Sequence, residues 1–360
     1  MEEKLILRVY VVAYYSSWKV YSTCKIEDID PTLFDVLIYA FAGLNSDGTI
    51  RVLDDWADIQ LQGFKKFNEL KAKNPRLKTL LAVGGWNEGS AKYSDMVRTP
   101  EMRRKFINSC RTFIKSYGFD GIDLDWEYPC QRGGSPEDKK NLTALLKEVR
   151  LEFDKRGGLF SMAVAAGVSN MDVYDIPALS KYLDHIHVMT YDFHSHADGR
   201  TGANAPMHSQ DSLNVAASVD AWIAKGADPR RLTLGLGAYG HSYTLANPAS
   251  HGIGAPSTGP GLPGPLSQAA GTLFCSEVVK YQQQQGWTKE WSEEQQVPYS
   301  YHGNQWVGYD DGRSLKLKVK FAKSKGLSGV MVWSLDMDDP RGELGVKFPL
   351  IKAVKEECSC

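Results

Sequence analysis

Three carboxylic acids stand at every second position in one short segment of the chain, residues 119–129. They are Asp123, Asp125 and Glu127, and apolar residues fill the positions between them. Because the side chains of a β-strand point alternately to its two faces, a strand here would carry all three acids on one face. Neighbouring carboxylates shielded from water cannot all ionise, so at least one of their pKa values should rise. A carboxylic acid that keeps its proton near neutral pH can act as a general acid.

Two other roles fit an acidic strand end. The acids could bind a divalent cation, which would need further oxygen ligands from other strand ends, and Asp192 could be one of them. They could instead form ion pairs with Arg or Lys. None of the six cysteines has the spacing to nearby histidines that zinc sites show, so a structural metal site is not predicted. The spacing of the acids alone does not decide between metal binding and catalysis.

Short apolar runs separated by amphipathic stretches predict alternating strands and helices. Most of the runs are apolar at nearly every position, as in parallel strands that are covered on both faces. The predicted strands are 9–15, 36–41, 79–83, 121–127, 160–165, 185–190, 232–236 and 329–333, and the predicted helices include 58–72, 100–117 and 136–155. Eight such strands predict a closed (β/α)8 TIM barrel, with an open doubly wound sheet as the alternative. No G-x-G-x-x-G motif follows the first strand, so a dinucleotide cofactor is not predicted.

The interval between the seventh and eighth strands breaks this alternation. It contains a loop rich in Gly, Pro, Ser and Ala, a helix-like stretch and two strand-like pieces, at 247–271, 271–285, 297–301 and 305–309. We predict a small α+β insertion over residues 240–309, within a catalytic barrel formed by residues 1–239 and 310–360. Loops at the carboxyl ends of barrel strands line the catalytic face, so this insertion would deepen a groove.

The composition excludes several classes of function. The 42 Lys and Arg residues against 43 Asp and Glu give a net charge of −1, so a nucleic-acid partner is not expected. No run approaches the roughly 18 apolar residues that span a bilayer. The amino terminus starts acidic rather than basic, so no cleavable signal peptide is predicted. The 9 Trp, 17 Tyr and 13 Phe residues can fill a core, and they also suit stacking on sugar rings.

Residues 120–129, DGIDLDWEYP, resemble the D-x-x-D-x-D-x-E signature of glycoside hydrolase family 18, the chitinases and chitinase-like proteins. Other motifs of the chain resemble the first, second, third, sixth and eighth strands of this family and the end of its α+β insertion, in the expected order. They are YYSSW at 14–18, LIYAFA at 37–42, GGW at 84–86, MTYD at 189–192, NQWVGYDD at 304–311 and MVWSLD at 331–336. The resemblance covers essentially the whole chain and is to the animal-type chitinases that carry the α+β insertion.

The resemblance implies a retaining reaction in which the substrate's own 2-acetamido group is the nucleophile. Glu127 would protonate the glycosidic oxygen and later act as the base. Asp125 would stabilise the acetamido group as it becomes positively charged, and Tyr191 would fix its oxygen. Asp123 would lie deeper and share a proton with Asp125. No metal ion or other cofactor is implied.

The resemblance also implies a row of sugar-binding aromatic residues. Trp333 would form the floor under the sugar at the cleavage point. Trp86 would stack on the leaving-group side, and Trp18 on the non-reducing side. The remaining residues expected to bind substrate are Tyr14, Phe41, Gly85, Met189, Asp192 and Tyr239. Without the resemblance, core packing would be the favoured interpretation of Phe41 and Met189.

The chain departs from the family at several positions in the expected groove. Ala197 stands where a stacking Trp is common, and Leu266 where an aromatic residue is common. Gly237 and His241 replace a Pro and an Arg that commonly follow the seventh strand. These changes bear on the strength of product-side binding and on the preferred chain length.

The cysteines depart from the family as well. Ala13 and Phe34 occupy the positions of one usual disulfide, and Val279 replaces a cysteine of a second. These absences suit either a reducing compartment or a lineage without these bridges. An extracellular location therefore rests on the resemblance alone.

Three functions remain in competition. The first is an endo-acting chitinase that cuts β-1,4-linked N-acetylglucosamine chains. The second is a non-catalytic chito-oligosaccharide lectin or signalling protein. Loss of the acid usually marks such proteins, so the presence of Glu127 favours the enzyme. The third is an endo-β-N-acetylglucosaminidase acting on N-glycans, whose members usually lack the insertion. We expect chitin or chito-oligosaccharides as ligands, no membrane partner and a monomer.

Overall fold

The computed structural model of the protein describes residues 9–155 and 157–360. Residues 1–8, on which the signal-peptide prediction rests, and Arg156 lie outside the described residues. Among the described residues, no helix combines the length and the apolar character needed to span a membrane. All six cysteines fall within the described ranges, and all six are free thiols.

The fold is built from two sheets and the helices around them. The strands are β1 Tyr10–Ser16, β2 Val36–Leu44, β3 Ile50–Val52, β4 Lys78–Gly84, β5 Gly121–Asp125, β6 Leu159–Ala165, β7 His185–Met189, β8 Leu232–Gly237, β9 Tyr239–Leu245, β10 Ser257–Pro260, β11 Thr272–Phe274, β12 Thr288–Ser292, β13 Val297–His302, β14 Gln305–Gly308 and β15 Gly329–Trp333. The α-helices are α1 Gly63–Glu69, α2 Ala91–Arg98, α3 Pro100–Tyr117, α4 Asp138–Asp154, α5 Ile176–Tyr182, α6 Val215–Ala224, α7 Cys275–Gln284, α8 Gly312–Ser324 and α9 Pro349–Ser359.

The first sheet is a closed barrel of eight parallel strands. Its order is β1-β15-β8-β7-β6-β5-β4-β2, and β1 also pairs with β2. In register, Ala13 of β1 lies beside Val332 on one side and Leu37 on the other. Because every barrel strand has two parallel neighbours, the predicted (β/α)8 barrel is confirmed and the open doubly wound alternative is wrong. Each strand's interior is almost entirely buried, which explains the nearly continuous apolar runs.

The second sheet lies in the interval between barrel strands β8 and β15. It is antiparallel, with the order β10-β9-β14-β13-β12, and β11 pairs with β9. Its strands β13 and β14 fall on the two strand-like pieces expected from the sequence. Four of its strands, β9, β10, β11 and β12, lie where no strand was predicted, and β11 falls at the start of the predicted helix-like stretch 271–285. A small core of Tyr243, Leu245, Ala255 and Trp306 packs on one part of this sheet.

Several predicted elements differ from the structure at their ends. The predicted helix 58–72 is instead a π-helical turn at Trp56–Gln60, then α1, then a short 3-10 turn. The break falls at Gln62, whose φ of 61° is incompatible with a continuous right-handed helix. The predicted strand 121–127 ends at Asp125, and Glu127 follows in the loop at the barrel mouth. The predicted helix 100–117 is confirmed, since α3 has the same bounds. The Thr99 side chain caps its start, and Gly118 ends it in the left-handed region.

Candidate active site

Strand β5 places Asp123 in the centre of the barrel interior. The side chain is completely buried. The Tyr14 hydroxyl donates a hydrogen bond to its Oδ2 over 2.7 Å, and the Ser161 hydroxyl donates to its Oδ1 over 2.5 Å. Burial raises the pKa of Asp123 to about 6, although both hydrogen bonds oppose the rise. Asp123 is therefore fixed in place by side chains from the adjacent strand β6 and from β1, elsewhere in the barrel.

Asp125 lies two residues further along the same face of β5 and is also buried. Its Oδ1 has no hydrogen-bond partner among the described residues. Burial raises its pKa well above the ordinary value, and the charges of Glu127 and Asp123 raise it further. An unpaired oxygen on a carboxyl group of this kind is suited to accept a hydrogen bond from a bound ligand.

Glu127 follows the strand at the carboxyl-terminal mouth of the barrel and is half-buried. Burial raises its pKa to about 7. A hydrogen bond from Tyr128 and the charge of Arg132 lower the pKa, while the negative charge of Asp192 raises it. Glu127 can therefore keep a proton close to neutral pH, which is the property of a general acid.

The residues expected to bind substrate surround one cavity of about 590 Å³ at this mouth. Twelve of the thirteen predicted site residues line it: Tyr14, Trp18, Phe41, Gly85, Trp86, Asp125, Glu127, Met189, Tyr191, Asp192, Tyr239 and Trp333. The thirteenth, Asp123, lies deeper, beside Tyr14. The structure thus brings together residues from both ends of the chain.

Aromatic side chains form much of the cavity wall. The Phe41 ring stacks on Trp333 with 5.7 Å between centroids and on Trp18 with 6.0 Å. Trp18 is 42% exposed and Trp86 is 56% exposed, so both indoles present open faces. Phe41 and Met189 are half-buried and pack on the core while they line the cavity, so the two interpretations of these residues are compatible.

Asp192 is held by two side chains from β9. Its Oδ1 accepts hydrogen bonds from the Tyr239 hydroxyl over 2.5 Å and from His241 Nε2 over 2.7 Å. The other ring nitrogen of His241 lies 3.3 Å from the carbonyl oxygen of Gly271. Burial lowers the pKa of His241, but the hydrogen bond and charge of Asp192 outweigh it and the pKa is raised. With an oxygen facing each nitrogen, the doubly protonated ring is favoured.

Some residues and contacts of the cavity were not identified from the sequence. Asp54 and Glu88 line it from the loops after β3 and β4. Glu88 forms ion pairs with Arg51 and Lys92 and accepts a hydrogen bond from the backbone N–H of Leu44.

The contact between His241 and Asp192 was also not predicted, although His241 stood out as a departure from the family. Ala197 and Leu266 lie outside the residues that line this cavity.

A metal site is not apparent in the part of the chain that the structure describes. Within residues 9–155 and 157–360, no group of three or more His, Cys, Asp or Glu side chains is arranged to hold a metal ion. Asp192, which could be a further ligand of a cation at this strand end, accepts hydrogen bonds at Oδ1 from Tyr239 and His241.

Known proteins match this chain over nearly its whole length. A family model described as glycosyl hydrolases family 18 matches residues 10–338. Probable chitinase 2 of Drosophila melanogaster is 42% identical over 351 residues, covering 91% of this chain and 72% of that protein. The structure of Ostrinia furnacalis Group IV chitinase in complex with allosamidin has a TM-score of 0.94 at 39% identity, covering 98% of this chain and 99% of that one. Human YKL-39, described as a pseudo-chitinase with retained chitooligosaccharide binding properties, has a TM-score of 0.90 at 34% identity, covering 98% and 100%.

The closed barrel, the acidic strand end at its mouth and the aromatic groove are features of the glycoside hydrolase class. The chain belongs to glycosyl hydrolases family 18, because the family model spans most of its length. The resemblance inferred from its motifs is therefore confirmed.

Proposed function

We propose that the protein is an endo-acting chitinase that hydrolyses β-1,4 bonds between N-acetylglucosamine units, with retention of configuration. The observation that carries this proposal is the presence in one cavity of Glu127, which can keep a proton at neutral pH, and of the buried Asp125, whose Oδ1 has no hydrogen-bond partner among the described residues. The two groups stand at the mouth of a groove with exposed indoles. The acid and the second carboxyl group thus line the same cavity.

In the first step, Glu127 donates its proton to the glycosidic oxygen as the bond to the anomeric carbon breaks. The carbonyl oxygen of the 2-acetamido group attacks that carbon and forms a cyclic oxazolinium ion. Asp125 accepts a hydrogen bond from the acetamido N–H and stabilises the positive charge. The hydroxyl of Tyr191, which contacts the Met331 sulfur at 4.0 Å, donates to the acetamido oxygen. The leaving sugar departs with the proton from Glu127.

In the second step, the Glu127 carboxylate removes a proton from water as the water attacks the anomeric carbon. This attack opens the oxazolinium ring, restores the 2-acetamido group and returns Glu127 to its protonated form. Asp123 shares a proton with Asp125, so that the two buried carboxyl groups never both need to be charged. Trp333 supports the sugar at the cleavage point, Trp86 the leaving-group side, and Trp18 the non-reducing side.

We further infer the organisation and setting of the molecule. Residues 240–309 form an insertion on the barrel made by 1–239 and 310–360, as the separate antiparallel sheet supports. We infer an extracellular monomer, which fits the resemblance to animal chitinases. Light scattering during gel filtration tests the monomer, and secretion from a native source tests the location.

A non-catalytic chito-oligosaccharide lectin is the second candidate. The likeness to YKL-39, described as a pseudo-chitinase that retains chitooligosaccharide binding, favours it. Against it stands the complete set of Asp123, Asp125, Glu127 and Tyr191. The antiparallel sheet between β8 and β15 argues against an endo-β-N-acetylglucosaminidase, since such relatives usually lack the insertion.

Release of a fluorophore from labelled N-acetyl-chitobioside and chitotrioside distinguishes the first two candidates. The chitinase should cleave both substrates, and the comparison of their rates reports how the subsites are used. Absence of release, together with binding of longer chito-oligosaccharides, would establish the lectin instead. Absence of both would reject each of them.

Activity should fall as the pH rises through about 7, because the acid must carry a proton and burial raises the pKa of Glu127 to about 7. Asp192→Asn should move this alkaline limb to lower pH, since the charge of Asp192 helps to raise the pKa of Glu127. The measurement is kcat/KM against pH. Asp172→Asn, which removes a carboxylate paired with Lys225, should leave the limb in place. A limb that stays fixed in Asp192→Asn contradicts the assignment of the limb to Glu127.

EDTA should leave the activity unchanged. Glu127 supplies the proton and the substrate supplies the nucleophile, so no step of the proposed reaction requires a divalent cation. The measurement is the rate of fluorophore release after dialysis against EDTA, with and without added Mg²⁺ or Ca²⁺. Inhibition that either cation reverses would instead support metal binding at the acidic strand end.

A further inference from the structure

The guanidinium group of Arg132 connects the exposed indole of Trp86 to the backbone of Glu127. Its central carbon lies 3.5 Å from the centroid of the Trp86 ring. Its Nη1 donates hydrogen bonds to the carbonyl oxygens of Trp86 over 2.9 Å and of Glu127 over 2.8 Å. One side chain thus contacts the indole face and both loops that carry the acid and the aromatic platform.

We propose that Arg132 is a positioning residue that fixes the plane of Trp86 relative to Glu127 and so sets the strength of sugar binding on the leaving-group side. This inference rests on the proposed function, because it concerns the same groove. It adds a specific determinant that neither the acidic motif nor the aromatic motifs contain.

Trp86 needs such a support, because little else holds it. It is 56% exposed and begins a single 3-10 turn, Trp86–Glu88. Gly85 and Gly89 flank this turn with φ values of 90° and 68°, in the region that favours glycine. Among the described residues, no aromatic ring stacks on the Trp86 indole, whereas Phe41 and Trp333 stack on each other. Arg132 covers one face of the indole and leaves the other face for a sugar.

The loop that carries Arg132 is itself fixed. The buried carboxylate of Asp138 accepts hydrogen bonds from the backbone N–H groups of Cys130 and Ser135, over 3.0 and 2.8 Å. Its other oxygen accepts a hydrogen bond from Ser94 of α2 over 2.6 Å. Arg132 therefore projects from a loop that is anchored on both sides of it.

The chemistry of the contact is specific to arginine. A planar guanidinium can lie against an indole face while its N–H groups reach carbonyl oxygens at its edge. A lysine ammonium would keep the charge but could not reproduce the planar stacking together with two directed hydrogen bonds. Arg132→Lys and Arg132→Gln therefore separate the geometry of this side chain from its charge.

The charge gives a second readout, in the protonation of Glu127. The groups that face Glu127 are the carboxyls of Asp125 and Asp192, the hydroxyls of Tyr128, Tyr174 and Tyr191, and Arg132. Arg132 is the cation among these groups and lowers the pKa of Glu127. Its removal should move the alkaline limb of kcat/KM to higher pH, whereas Arg132→Lys should not.

A double-mutant cycle tests whether Arg132 acts through Trp86. The dissociation constant of a chito-pentasaccharide is measured by calorimetry in the Glu127→Gln background, alone and with Arg132→Gln, Trp86→Ala or both. An exposed cation–π contact with its hydrogen bonds should make Arg132→Gln weaken binding by about 3- to 10-fold. The same change in the Trp86→Ala background should weaken binding by less than about 2-fold, since the indole that Arg132 positions is already absent.

Arg313→Gln is the matched control. Arg313 lies 3.7 Å from the centroid of Trp291 in the second sheet, so this change removes a similar contact outside the groove. It should alter neither pentasaccharide binding nor the alkaline limb. Circular dichroism and thermal unfolding of each variant report whether the fold is kept, and Arg132→Lys carries the binding test if Arg132→Gln unfolds.

The outcomes separate this inference from the proposed function. Weaker binding that depends on Trp86, together with an alkaline limb that moves in Arg132→Gln but not in Arg132→Lys, supports the positioning role. Equal losses with and without Trp86, or no loss at all, overturn it even if the wild-type protein cleaves chitotrioside. A wild-type protein that binds the pentasaccharide without cleaving anything overturns the proposed hydrolysis and leaves the binding cycle to decide the role of Arg132.

Discussion

Glu127→Gln should reduce kcat/KM on labelled chitotrioside by about 10²- to 10⁴-fold, the range typical of a lost general acid. The amide has the shape of the protonated carboxyl group but cannot give a proton to the glycosidic oxygen. Burial raises the pKa of Glu127 to about 7, so the carboxyl group of the wild-type protein is partly protonated at neutral pH. The loss should therefore appear in the rate rather than in the fold or in sugar binding.

Two measurements isolate this effect. Affinity for a chito-pentasaccharide should change by less than about 3-fold, since the aromatic stacking is untouched. Glu101→Gln removes a carboxylate that pairs with Lys105 on the outer helix α3, and it should leave both rate and affinity unchanged. Turnover close to the wild-type rate in Glu127→Gln would show that another group supplies the proton.

The strand-borne part of the site follows from local rules. The period of two along β5 places Asp123 and Asp125 on the inner face, and the closed barrel forces that face inward. The structure agrees, with both side chains buried in the barrel interior. The sequence could not tell that the strand ends at Asp125, because strand ends depend on where the neighbouring strand stops pairing. The last pairs of β5 join Leu124 to Met162 of β6 and Asp125 to Gly84 of β4, so Glu127 is positioned by a loop rather than by a strand.

The loop-borne part of the site could not be read in this way. His241 and Asp192 are 49 positions apart, and β9 brings them together by a pairing that no local pattern reveals. Arg132 lies in a loop beside two glycines and is exposed, and an arginine at such a position is usually interpreted as a solvated surface residue. Similarly, the break in the predicted helix 58–72 lies at Gln62, a residue whose type gives no sign of a left-handed conformation. Contacts between distant loops thus supply what periodicity does not.

The surroundings of the buried carboxyl groups support the different roles that we propose for Asp123 and Asp125. Asp123 receives two hydrogen bonds that oppose the rise in its pKa, whereas Oδ1 of Asp125 receives none from the described residues. Burial and two neighbouring carboxyls then make Asp125 the group that gains most from a hydrogen-bond donor. The acetamido N–H of a bound sugar is such a donor. An oxazolinium ion, which adds a positive charge, relieves the same electrostatic cost more strongly.

Asp125→Ala should therefore reduce kcat by about 10²- to 10³-fold, comparable with the loss of one preorganised electrostatic group. KM should change much less, because in the proposed reaction the charge that Asp125 stabilises develops only in the transition state and the intermediate. Steady-state kinetics on chitotrioside measure both constants. Asp172→Asn is again the remote control. An unchanged kcat, or a loss confined to KM, would contradict this role.

Asp125→Asn should abolish the catalytic role of Asp125 without lowering the stability of the fold. The folded-state pKa of Asp125 lies well above its ordinary value, so the folded protein binds this proton more tightly than the unfolded chain does. Folding stability linked to this group is then fully present below about pH 4, the usual pKa of an unfolded Asp, and is lost as the pH rises towards the folded pKa. The neutral Asn escapes that loss. Asp125→Asn should thus lose activity yet unfold at the same or a higher temperature than wild type at pH 7, with the difference shrinking towards pH 4. A lower unfolding temperature at pH 7 would show that the Asp125 carboxylate stabilises the fold, contrary to the raised pKa.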